Sequence, residues 1–109
     1  MTFSRGDIVY VNLNPIRGHE RGSRRPAVVI NSVPLPGNLN LIMPITSHKK
    51  DFPFEVELDS RTKTHGVILC FQMRAADLTV RDTEYVEQLP KDLLALCTEY
   101  LQCITSDVD

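Results

Sequence analysis

Between Pro15 and Ile30 the chain reads PIRGHERGSRRPAVVI, and side chains able to hold an anion crowd together there. Arg17, Arg21, Arg24 and Arg25 stand against Glu20, a local charge of +3 on a chain that carries −2 overall. A cationic loop on an otherwise acidic protein points to a local anion site. Guanidinium suits phosphate in particular, because its planar fork donates two N–H groups at once. Gly18 and Gly22 bracket the loop and let the backbone come close to a ligand. A solvated basic loop would use the same residues, so the stretch alone leaves both readings open.

Other chemistries find less support. His19, His48 and His65 show no paired metal-ligand spacing, and the aspartates are scattered, so no metal or other cofactor is expected. Neither GxxxxGK[ST] nor GxGxxG occurs. What remains is Arg25 at the entry of one apolar run and Thr46 at the exit of another, with Glu20, Arg21 and Arg24 nearby. Arginine and hydroxyl donors converging on one point would suit a phosphate or a phosphorane-like transition state. Arg25 as an ordinary ion-pair partner and Thr46 as a strand-end cap need the same residue types.

These residues need a frame to hold them, and the apolar patterning supplies one. Asp7 to Leu13 (DIVYVNL) is rich in β-branched and aromatic residues, apolar on both faces, and reads as a buried strand. Pro26 to Asn31 and Leu39 to Ile45 read as the next two. Pro44 lacks a donor for the ladder, which predicts a sheet edge or bulge there. Phe54 to Leu58 alternates, with Phe54, Val56 and Leu58 on one face, as a half-buried antiparallel strand does. Val67 to Phe71 is a further buried strand continuing towards Gln72 and Arg74, and a short strand near Tyr85 to Gln88 closes the set. Pro90 fits a first helical position and Asp92 the positive end of a helix running to about Thr105. Leu93, Leu94, Cys97, Tyr100, Leu101 and Ile104 form its apolar stripe. Short connections make the sheet antiparallel.

The chain's 109 residues are expected to form one domain, residues 1–109. Residues 1–74 carry ten Lys or Arg against six Asp or Glu, and residues 75–109 carry two against eight. A polyanion should therefore meet the first two thirds, with the last third as scaffold. The three cysteines, Cys70, Cys97 and Cys103, all lie in apolar segments and read as buried reduced thiols. No apolar run approaches a membrane span and the opening residues do not read as a signal peptide, so a cytoplasmic protein is expected.

The stretch GDIVYVNLNPIRGHERGSRRPAVVI resembles the opening of the MazF/PemK (Kid) family of toxin endoribonucleases. The likeness continues in order through MPIT (43–46), FPFEVEL (52–58), GVILCFQMR (66–74) and the terminal helix. It implies a mainly β fold, an SH3-like antiparallel barrel or sheet with a C-terminal helix, like that of CcdB and MazF. It also implies a homodimer that cleaves single-stranded RNA without metal. The implied partner is a cognate antitoxin whose acidic, disordered C-terminal segment orders on binding. By motif position the resemblance assigns Arg25 and Thr46 to catalysis, with Glu20 as an acid–base participant. Arg17, His19, Arg21, Arg24, His48, Lys49, Gln72 and Arg74 become candidates for RNA contact. One departure stands out: the family's Glu-Gln reads Glu20-Arg21 here, which raises the loop's attraction for phosphate and bears on sequence preference. Two rival functions share this fold class. One is a CcdB-like gyrase inhibitor, which lacks the G-x-E-x-x-x-x-R-P loop; the other is an SH3-like binding module, which usually clusters surface aromatics.

Overall fold

The computed structural model describes residues 2–13 and 24–108. Within them lie seven strands, β1 (Asp7–Asn12), β2 (Arg24–Val29), β3 (Leu39–Thr46), β4 (Glu55–Glu57), β5 (Val67–Leu69), β6 (Arg74–Asp77) and β7 (Glu84–Gln88), and the helix α1 (Lys91–Thr105). Their order is β4-β5-β3-β2-β1-β7, with β6 also paired to β3, and every pairing is antiparallel. The expected mainly β fold with a terminal helix is thus present, as an open sheet ending in β4 and β7 rather than a closed barrel.

The inner strands are apolar on both faces because both faces are covered. Ile8, Val28, Met43, Ile45, Val56 and Ile68 pack under α1 with Cys97, Leu93, Leu94 and Leu101. On the other face Val9, Val11, Ala27, Val29 and Ile42 pack with Leu78, Ala76, Phe3 and Leu13. Each fully buried Val, Leu or Ile side chain in such a layer contributes roughly 1.5–3 kcal/mol. Tyr10 is the exception in β1, 43% exposed. Among the described residues no helix is long and apolar enough to cross a membrane.

Several expectations need correction. β2 begins two residues early, so Arg24 and Arg25 belong to the strand and pair with Asn12 and Val11 of β1. β4 is only three residues long, since Phe54 has a positive φ of 66° and instead turns its ring onto Tyr100, centroids 5.6 Å apart. The run from Val67 does not continue as one strand. A short 3-10 turn, Cys70–Gln72, interrupts it, and β6 starts afresh at Arg74. Pro44 lies not at an edge but between β3's two successive partners, β6 up to Ile42 and β5 from Ile45, while facing Ala27 of β2. Pro90 caps α1 rather than opening it. Cys70 and Cys97 are buried free thiols, but Cys103 is exposed. Ile104, at the end of the helical stripe, is also exposed.

The two ends of the open sheet are joined by side chains. The β4–β5 connection folds across to β7, where the Glu87 carboxylate accepts the Lys63 N–H at 3.0 Å, the Thr64 N–H at 2.9 Å and the Thr64 hydroxyl at 2.8 Å. Arg61 ties the same connection to the start of α1, donating to Asp59 and Asp92 at 2.8 Å each. The guanidinium holds the Asp59 carboxyl at about 2, well below its ordinary range. Next in sequence, Gly66 has a φ of +122°, and a Cβ built there would lie 2.1 Å from the Thr46 carbonyl oxygen. Only glycine lets the connection press against the end of β3 in this way.

Two stability effects should follow. Gly66→Ala should cost about 3 kcal/mol, from positive-φ strain and a clash with unyielding backbone. A urea-midpoint loss below ~1 kcal/mol would mean that the connection can shift away from Thr46. The second effect concerns Glu87. Burial pushes its carboxyl up, but the three donors from Lys63 and Thr64 outweigh burial and leave it below the ordinary 4.5. A lowered folded-state value stabilises the fold above pH ~4.5, and that contribution is lost as pH falls through the lowered value. Glu87→Gln should therefore be less stable at neutral pH and show a shallower loss of stability on acidification. Parallel acid-unfolding curves for the two proteins would show that the clasp contributes nothing.

Candidate functional site

β2 and β3 run antiparallel with Ala27 opposite Pro44, Val28 opposite Met43 and Val29 opposite Ile42. Continuing that register by two residues sets Arg25, near the start of β2, opposite Thr46 at the end of β3. Both residues line a cavity of about 440 Å³ at this end of the sheet. Arg24 and Pro26 join from β2, Ile45 and Ser47 from the β3 end, and Lys63, Thr64 and His65 from the clasped β4–β5 connection. Tyr10 of β1 and Val86 of β7 complete it. The cavity therefore lies where the open sheet's ends approach one another, and its polar residues sit at strand ends and on a turn that two ion-pair or hydrogen-bond anchors hold.

The two adjacent arginines differ in their surroundings. Arg24 reaches the acidic end of β7, 3.4 Å from Glu84 and 4.0 Å from Asp82, with its guanidinium 5.8 Å from the Tyr10 ring centroid. Among the described residues Arg25 forms no ion pair. Thr46 is half-buried, and its hydroxyl oxygen accepts the His48 N–H at 3.2 Å. Among the described residues that hydroxyl donates to no acceptor, so its proton can serve one in the cavity. Ser47 Oγ and His48 Nδ1 lie 3.1 Å apart. A guanidinium opposite a hydroxyl, with an ammonium and a second guanidinium on the rim, can hold a phosphate group from more than one side.

Not every sequence candidate reaches this cavity. Arg17, His19, Glu20 and Arg21, with Gly18 and Gly22, lie outside the described residues. His48 and Lys49 follow Thr46 in the β3–β4 connection but do not line the cavity. Lys49 is engaged by Glu57 at 3.2 Å and Asp51 at 3.5 Å, which raise its pKa. Gln72 is exposed on its 3-10 turn, not a buried amide. Arg74, on β6, donates to the Leu13 carbonyl at 3.2 Å, at the point where the chain leaves β1 for the arginine loop. Sequence reading missed Tyr10, Lys63, Thr64 and His65. The one local signal for the last three was the Gly66 that follows them, a glycine standing just before an apolar run.

Among the described residues, no group of three or more His, Cys, Asp or Glu side chains is placed to hold a metal ion. The family model for "PemK-like, MazF-like toxin of type II toxin-antitoxin system" matches residues 4–105. Endoribonuclease PemK of Escherichia coli is 30% identical over 96 residues, covering 83% of this chain and 72% of that protein. A crystal structure of MazF from Deinococcus radiodurans superposes with a TM-score of 0.85 at 33% identity, over 98% of this chain and 99% of that one. A chain in a crystal structure of MazE-MazF from the same organism superposes with a TM-score of 0.83 at 29% identity, over 99% of both chains. With all but its extreme ends matched by the family model and its fold shared, the chain belongs to the PemK-like, MazF-like toxins of type II toxin–antitoxin systems.

Proposed function

We propose that this protein is an endoribonuclease toxin that cuts single-stranded messenger RNA at particular sequences in the cytoplasm, works as a homodimer, and is neutralised by a cognate antitoxin. The observation that carries the reading is that Arg25 of β2 and Thr46 of β3 line one cavity with further cations on its wall. Membership of a family whose relatives include a named endoribonuclease supports the reaction class, and favours it over a CcdB-like gyrase inhibitor. The MazE-MazF crystals support an antitoxin as partner.

RNA makes modest demands on such a site. Its 2′-hydroxyl is an internal nucleophile already held beside the phosphorus, so the protein must orient, move protons and stabilise charge. The 2′-oxygen bonds to phosphorus and the bond to the 5′-oxygen breaks, leaving a 2′,3′-cyclic phosphate and a 5′-hydroxyl. Arg25 stabilises the charge that gathers on the pentacovalent phosphate. A guanidinium gives up its proton reluctantly, so electrostatic stabilisation is its part. Thr46 donates its free hydroxyl proton to a non-bridging oxygen, and Glu20 is an acid–base participant from the loop.

The remaining cations steer and seat the strand. The exposed pairing of Arg24 with Glu84 and Asp82 is worth at most about 1 kcal/mol, so an RNA phosphate can take it over. Arg17, His19 and Arg21 of the loop, His48 and Lys49 beyond Thr46, and Gln72 with Arg74 are the further RNA contacts in this reading. The antitoxin's acidic, disordered C-terminal segment orders over the same cations, its carboxylates standing in for phosphates.

Incubating the purified protein with a long single-stranded RNA in the presence of chelator tests this directly. Internal cuts ending in 2′,3′-cyclic phosphate and 5′-hydroxyl are expected, and one 2′-deoxy substitution at the cut should block it. RNA left intact, or a deoxy substrate cut equally well, would refute the reading. Arg25→Ala should lower the cleavage rate at least ~10²-fold without unfolding the protein, about the effect of losing one preorganised donor. Thr46→Ala should behave alike, while Thr46→Ser keeps much of the rate; a serine variant as slow as the alanine variant would take the hydroxyl out of the chemistry.

A further inference from the structure

The endoribonuclease reading needs a group to take the proton of the 2′-hydroxyl; Arg25 and Thr46 are donors, and Glu20 lies outside the described residues. We infer that His65 is that group: in the cavity that Arg25 and Thr46 share, its neutral imidazole serves as the general base. The inference rests on the reading above and deepens it. Among the described residues lining the cavity, the other side chains are guanidinium, ammonium, hydroxyl, phenol or hydrocarbon, and His65 carries the one imidazole, the side chain most often used as a general base.

Its placement is built on both sides. Immediately before it, Thr64 is held by Glu87 through both its N–H and its hydroxyl, and its carbonyl accepts the Thr62 hydroxyl at 2.7 Å. Thr62 is itself buried. Immediately after it, Gly66 presses on the Thr46 carbonyl so closely that no Cβ fits between them. The backbone on either side of His65 is thus fixed relative to β7 and to the catalytic end of β3, while the imidazole stays exposed to a substrate. Among the described residues, the charged and titratable groups that share its cavity are Arg24 and Arg25 from β2, Lys63 from its own turn and Tyr10 from β1, while the Glu87 carboxylate of β7 is committed to the turn's donors.

In the step itself the 2′-oxygen bonds to phosphorus as its proton passes to a nitrogen of His65. The bond from phosphorus to the 5′-oxygen breaks, and that oxygen takes a proton from solvent water at the cavity mouth. The imidazolium then returns its proton to water. General-base catalysis of this kind is worth roughly 10²–10⁴ in rate.

The test is a pH–rate profile under single-turnover conditions with a short RNA holding one cleavage site, run on wild type, His65→Gln and Arg25→Ala. Wild type should speed up with rising pH along an acid limb and then level off. His65→Gln should lose at least ~10²-fold in the cleavage step with RNA binding changed less than ~3-fold, and should lose the limb. Arg25→Ala should be slow but keep it. His65→Ala should regain activity when free imidazole is added, which a merely structural or binding residue would not allow. A His65→Gln enzyme that keeps both rate and limb, or weakens binding alone, overturns the assignment while leaving the endoribonuclease reading intact. A limb that instead disappears in Glu20→Gln hands the proton to the loop and also overturns it. Wild-type protein that cuts no RNA defeats the underlying reading, and this inference with it.

Discussion

The third strand has to serve three neighbours, and the point where it changes partner shapes the rest of the molecule. On one edge β3 pairs with β2 across Ile42 to Pro44. On the other it pairs with β6 from Leu39 to Ile42 and with β5 at Ile45 and Thr46, leaving Met43 and Pro44 between. Proline has no N–H to give a ladder, so a proline in this gap costs the sheet little where a neighbouring strand is absent in any case. Because β5 and β6 are separate strands, β5 can leave with β4 as its own short ribbon. The connection between them then folds over to the opposite end of the sheet. Thr46, the last residue after the change of partner, ends up between β2's first residues and that returning connection. Without the handover, Thr46 would end an ordinary strand and Arg25 would begin another, with no third wall to make a cavity.

What holds the third wall is charge in specific geometry rather than buried area. Glu87 uses both carboxylate oxygens on two backbone N–H groups and a hydroxyl, and Arg61 reaches carboxylates on either side of it. The Arg61 pairs are solvent-exposed and the Glu87–Thr64 contacts only part-buried, so each contact contributes modestly to stability. Their role is to fix position. A turn with no large side chain in the core would otherwise move with little resistance, and a misplacement of about 1 Å at a reacting centre can cost a hundredfold in rate. The same economy explains the unequal arginines. Arg24 is steadied by Glu84, Asp82 and the Tyr10 ring, whereas Arg25, one residue on, has no ion-pair partner among the described residues.

The broad fold was legible because both its periodicities were strong. Buried runs such as DIVYVNL and the 93–101 stripe name a strand and a helix whatever surrounds them. Arg25 and Thr46 were visible only as two strand ends; that they line one cavity depends on how β2 and β3 pair, a long-range property that no local window contains. For the same reason Gln72 and Arg74, which follow on from a β5 that looked continuous, lie off the cavity, Gln72 on a 3-10 turn and Arg74 beyond it. For Pro44 an edge or a bulge was expected, and neither reading includes what the fold has, a strand that changes neighbours in mid-course. His65 was passed over since a lone histidine in a polar turn carries no signal. Its meaning comes from Gly66, and Gly66's meaning comes from how close Thr46 lies, which only the folded chain reveals.

A nucleophile carried by the substrate changes what a fold must provide. A protease-type site needs an activated side chain, its base and an orienting partner in strict mutual geometry. RNA transesterification needs only groups around a phosphate, each able to act from a strand end or turn. A small open sheet can meet that demand with few committed residues, because strand ends and turns already present donors and charges in one direction. It also follows that the activity is easily separated from the fold. Removing one cation or one proton acceptor leaves the core untouched, so a sheet of this shape can persist with no ribonuclease chemistry at all. The surface that attracts a polyanionic strand remains in either case, and an acidic peptide competing for it would meet the same cations. What distinguishes the two ligands is salt: phosphate contacts weaken steeply as counterions are added, whereas a peptide that also buries apolar side chains keeps that part of its affinity.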